Sequence, residues 1–136
     1  MRILSSLMVL LLLTGCCKVY CDGSELLVSC EKFKARDTDT VVFVSYLPET
    51  GFTRVIDTFR ILSVIPVTDT SRSSVFHAIS SSYDWKMLLP SLGKQYVFEN
   101  FKLSNKKCSC GGTPYKEISS FTLNGVRRQD PFVRLE

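Results

Sequence analysis

One histidine, one tryptophan and seven scattered glycines are all that 136 residues contain of three residue types on which much chemistry depends. With His77 alone, a metal site built from several imidazoles is excluded, and a nucleophile–base pair has only this ring to use. The glycines form no phosphate-cradling loop, and no serine sits in a G-x-S-x-G turn. Charge of either sign is also thin. The 17 Lys and Arg side chains against 13 Asp and Glu give a net charge of +4. The densest basic clusters are the pairs Lys106-Lys107 and Arg127-Arg128, read as solvated turn residues. Nucleic acid is not an expected partner, because a binder would carry a basic stripe interleaved with aromatics. After the first fifteen residues no apolar run approaches the ~20 residues of a spanning helix. Nor does any stretch sustain a helical period for three turns, and no internal repeat appears.

What the sequence does have begins at its first residues. Residues 1–15, MRILSSLMVLLLLTG, place one basic residue after the initiator, then an apolar core, then small residues. That is the layout of a secretory signal. Its end, Leu13-Thr14-Gly15-Cys16, resembles the lipobox of bacterial lipoproteins, an aliphatic residue and two small ones before a cysteine. The resemblance implies cleavage before Cys16 and acylation of its thiol, with a tether over residues 16–23 and a single β-domain over 24–136. Several acyl chains hold a protein far more firmly than one. Only one acid, Asp22, occurs in this tether, so a periplasm-facing position on the outer membrane is favoured over the outer surface. Loss of Arg2 with the leader leaves 16 basic side chains against 13 acidic ones, a net charge of +3.

The rest of the chain reads as all-β. Short runs rich in Val, Ile, Phe, Tyr and Thr are separated by turn residues. Strands are expected over 25–35, 40–47, 52–67 (as one long strand or two short ones), 74–80, 83–89, 94–104, 117–123 and 126–135. Pro48-Glu49-Thr50-Gly51, Pro90-Ser91-Leu92-Gly93 and Asn124-Gly125 supply the turns, the last being the strongest hairpin signal. Seven to nine such strands fit an antiparallel β-sandwich, with a small closed OB-like barrel as the alternative. Phe43, Tyr46, Phe59, Trp85, Phe98 and Phe121 are the expected core aromatics.

Six cysteines are present. With Cys16 acylated, Cys17, Cys21, Cys30, Cys108 and Cys110 are the candidates for disulfides, and an odd number cannot all pair within one chain. A bond such as Cys21–Cys108 would close a loop of more than about 80 residues and stabilise by about 4 kcal/mol in the chain-entropy model. The C-x-C of Cys108 and Cys110 occurs once, whereas zinc knuckles repeat their cysteine pairs, so no metal or other cofactor is expected. The acids Asp37 and Asp39 alternate with threonine at a strand edge and are read as solvated rather than as a glycosidase pair. No catalytic residues are assigned.

The segments LLTGC, DTDTVVFVSY and KEISSFTLNG give the chain the look of small uncharacterised lipoproteins of Gram-negative envelopes. That likeness implies a lipid-anchored, non-catalytic binding or structural module, held to a membrane through Cys16 and meeting an envelope protein partner. A looser similarity, in strand order and the C-x-C, is to netrin-like inhibitors of metalloproteinases, which would imply a secreted, soluble, disulfide-bonded inhibitor or ligand. Those inhibitors open their mature chain with C-x-C, a pattern that Cys16-Cys17 and Cys21-Asp22 do not reproduce.

Overall fold

The computed structural model describes residues 21–62, 72–73, 75–108 and 113–136. Nine strands make up this part of the chain: β1 (Glu25–Ser29), β2 (Thr40–Tyr46), β3 (Val55–Leu62), β4 (Phe76–Ser80), β5 (Asp84–Leu89), β6 (Lys94–Lys106), β7 (Tyr115–Leu123), β8 (Val126–Arg128) and β9 (Phe132–Arg134). Two short 3₁₀ turns, Ala35–Thr38 and Pro90–Leu92, complete the regular elements. The fold is all-β, as the sequence leads one to expect. A curled six-stranded sheet in the order β3-β2-β5-β6-β7-β8 faces a three-stranded one in the order β4-β1-β9.

The large sheet is antiparallel throughout. Its turns follow from local chemistry. Pro90 opens a 3₁₀ turn that Gly93 closes in the left-handed region, at φ 61°, where the missing Cβ removes the steric penalty. Asn124 and Gly125 take φ of 49° and 80°, the paired left-handed conformation of a tight hairpin whose twist matches its strands. Alternation then sorts the side chains. In β2, Val41, Phe43 and Ser45 are buried on the inner face, while Val42 and Tyr46 look outward and are half-buried.

The small sheet departs from the antiparallel expectation at one place: β1 pairs with β4 antiparallel but with β9 parallel. No hairpin links β1 and β9, which come from opposite ends of the described chain, so no turn dictates their direction. Just before β1, Gly23 makes a parallel bridge to Glu117, and the Ile118 amide donates to the Gly23 carbonyl at 2.9 Å. That contact stitches the small sheet to β7 of the large one. An ideal Cβ on Gly23 would lie 2.9 Å from the Glu117 Cα, so only glycine fits this approach.

Between the sheets lies one apolar core. Leu26, Val28, Ile79 and Val133 come from the small sheet, and Val41, Phe43, Trp85, Met87, Leu89, Phe98, Phe121 and Leu123 from the large one. Burying each of the larger side chains contributes about 1.5–3 kcal/mol. Trp85 also satisfies its polar end, donating from Nε1 to the Ser80 carbonyl at 2.8 Å. Of the aromatics expected inside, Phe43, Phe98, Phe121 and Trp85 are there and Phe59 is packed against the cluster. Tyr46 is a correction: it lies on the outer face, edge-on to Phe52, with the Lys86 ammonium 5.4 Å from its ring centre. Phe33 is buried but in a loop rather than in an extended first strand, its ring edge-on to Tyr96.

Candidate functional site

His77 is held by β4 opposite Val28 and points between the sheets. Its ring centre lies 4.6 Å from that of Phe59 and 5.0 Å from that of Phe43. Burial holds its pKa below the ordinary imidazole value, against a smaller upward pull from the Glu25 carboxylate. The two phenyl rings are stacked on each other at 5.2 Å, and the imidazole packs against this pair. Asp37 and Asp39 are also occupied. Asp37 pairs with Arg36 at 3.7 Å, and Asp39 accepts from the Ser91 hydroxyl at 2.6 Å and from the Thr40 amide at 2.6 Å. Among the described residues no three His, Cys, Asp or Glu side chains are grouped so as to hold a metal ion.

The cysteines divide by position. Cys21 and Cys108 form a disulfide, with Cα atoms 5.9 Å apart. Cys30, named among the disulfide candidates, is instead a free thiol and is corrected here: it is only 1% exposed within the core at the end of β1. Burial pushes its pKa up to about 12, which leaves it an inert thiol at neutral pH. Cys16, Cys17 and Cys110 lie outside the described residues, as do residues 1–15, where a leader is expected.

Among the described residues, two clefts bear on the site. The first, of about 240 Å³, is lined by Glu49, Ser81, Asp84, Asn100 and Lys102 together with Pro48 and Phe101. Asp84 begins β5 and is 9% exposed. Burial raises its pKa above the ordinary carboxylate value. Backbone hydrogen bonds from Asn100 and Glu49 pull the other way, and the Glu49 charge pushes up again. Both hydrogen-bond donors are non-glycine residues with left-handed backbones, Glu49 at φ 63° and Asn100 at φ 56°. Asp84 thus secures the β2–β3 turn and the irregularity in β6 at once, which makes it a structural acid. The sequence carries no signal for this cleft beyond an asparagine inside an apolar strand, because its walls come from three elements far apart in the chain.

The second cleft, of about 270 Å³, lies between the β7–β8 hairpin and β9 and is lined by Arg128, Asp130, Phe132 and Arg134 above Leu123 and Val133. The Arg134 guanidinium sits 5.3 Å from the Phe132 ring centre and 3.7 Å from a Glu31 carboxylate oxygen. Arg127 points elsewhere, donating to the Ser120 hydroxyl at 3.3 Å. In β6, Tyr96 is buried and its hydroxyl donates to the Glu136 carbonyl at 2.5 Å.

The remaining feature is an edge. β3 pairs with β2 alone among the described strands. It leaves Val55 54%, Ile56 45% and Leu62 63% exposed. An edge of this length with apolar side chains is a template for an added strand. Among the described residues no helix is long and apolar enough to cross a membrane. Comparison with protein families, with curated proteins and with solved structures finds no match for this chain.

Proposed function

We propose that the chain is a lipid-anchored protein of the cell envelope, tethered through acylated Cys16, whose β-domain serves as a non-catalytic binding or structural module. The observation that carries this reading is the Leu13-Thr14-Gly15-Cys16 motif at the end of a signal-like apolar run. Two further observations support it. The Cys21–Cys108 disulfide suits an oxidising compartment such as the periplasm. The conspicuous surface of the domain is an apolar strand edge, suited to pairing with an envelope protein partner through main-chain hydrogen bonds.

Intact mass of the protein extracted from its native membrane tests the anchor. The expected mass is that of residues 16–136 plus glycerol and acyl chains. An unmodified N-terminus after Cys17 or Cys21 overturns it and makes the secreted, netrin-like ligand the better reading.

A further inference from the structure

The disulfide decides which end of the domain lies against whatever Cys16 is fixed to. Cys108 lies two residues past the end of β6, in the connection to β7, and its bond to Cys21 holds this end of β6 beside the first described residue. Four residues, and so five Cα–Cα steps, separate Cys21 from Cys16. Fully extended they reach at most about 18 Å. Screened electrostatic attraction acts over about 8–10 Å, so a lead of this length lets the lysines come within range of the surface.

The tip has the composition of a headgroup contact. Among the described residues at this end of the hairpin Lys106, Lys107 and Lys116 are exposed, and the one carboxylate there, Glu117, pairs with Lys106 at 3.6 Å. The nearby Asp22 carboxylate is engaged by Ser24, accepting from its amide at 2.9 Å and its hydroxyl at 2.7 Å. Leu103, 42% exposed, shares a face of the hairpin with Lys116, while half-buried Tyr115 stands opposite Lys106 on the other face, an apolar side chain and an amphipathic ring of the kind that settle at a membrane interface. β6 reaches this far because its pairing with β5 ends at Phe98 and only β7 accompanies it beyond.

We infer that the β6–β7 tip is a docking surface for anionic lipid headgroups, with Lys106, Lys107 and Lys116 supplying the charge and Leu103 the apolar contact. The inference rests on the lipid-anchor reading of Cys16. It fixes the orientation of the domain, since Lys94 lies at the other end of β6, up to about 40 Å of strand away.

Amine-reactive footprinting of the full acylated protein tests it, in vesicles containing phosphatidylglycerol and in vesicles of phosphatidylcholine alone. Reactivity of Lys106, Lys107 and Lys116 should fall severalfold on the anionic vesicles only, while Lys32, Lys34 and Lys94 keep theirs. Equal protection of both groups, or of neither, overturns the docking surface. A second arm uses the chain of residues 16–136 with Cys16→Ser, which has neither the apolar leader nor an acylation site, in sedimentation with phosphatidylglycerol vesicles. Replacing the three tip lysines by glutamine should weaken its partitioning roughly a hundredfold, from about fivefold for each charge at the surface. The same loss on replacing Lys32, Lys34 and Lys94 would show that net charge alone matters and would sink the idea. The mass of the native protein reports on the anchor alone and the unacylated arm on the tip alone, so the failure of either reading is seen separately.

Discussion

Cys30 shows how little a residue type says before its surroundings are known. In the sequence it is one of five thiols left to pair, and in the fold it is a small apolar side chain under Tyr96, whose own pKa burial raises first and the Cys30 thiol second. With its pKa pushed up to about 12 by burial, it should resist iodoacetamide at pH 8 in the folded protein and react fully in guanidinium chloride. Peptide-level mass analysis reads both states, and rapid native labelling of the Cys30 peptide would contradict the packing. Asp84 and His77 titrate with opposite signs. His77 is held below its ordinary value of 6.5, so the stability it contributes is complete above that value and is lost as pH falls through its folded pKa. Asp84 is held above its ordinary value of 3.8, so its contribution is complete below that value and is lost as pH rises through the folded pKa. Urea midpoints should therefore drop between pH 7 and pH 5 more in the natural chain than in His77→Gln. The gap between Asp84→Asn and the natural chain should move in the variant's favour from pH 4 to pH 7.

Among the elements, the segment leading into β1 is held to the large sheet at two points, the disulfide and the Gly23 bridge. Gly23→Ala places a methyl group against the Glu117 backbone, and overpacking of this kind costs about 1–3 kcal/mol. Its particular signature is faster hydrogen exchange at the Ile118 amide, the donor to the Gly23 carbonyl. Removing the disulfide with the double change Cys21→Ser, Cys108→Ser should cost about 4–5 kcal/mol for a loop of 87 residues, read from denaturant unfolding. Strand positions were largely legible in the sequence, because β-branched runs and the turn residues around Gly51, Gly93 and Gly125 mark them locally. The faces were less so. TVVFVSY is apolar on both parities, so nothing in it decides that Phe43 goes in and Tyr46 out. The parallel pairing of β1 with β9 and the walls of the Asp84 cleft were not legible, since each joins residues that no local pattern connects.

At the scale of the whole molecule, the first strand of the described chain is the middle strand of the small sheet. Its neighbours are Phe76–Ser80 and, almost at the C-terminus, Phe132–Arg134. Order of arrival is therefore built into the topology. A chain emerging amino end first from a ribosome brings out β1 about a hundred residues before β9, and that strand must wait for Phe132–Arg134 before it has both partners. Until then Leu26 and Val28 belong to a sheet with one open side, and the non-local pairing that closes it is the slow kind. The small sheet is thus left open until a strand about a hundred residues downstream arrives, and a chain stopped before Phe132 lacks the strand that closes it.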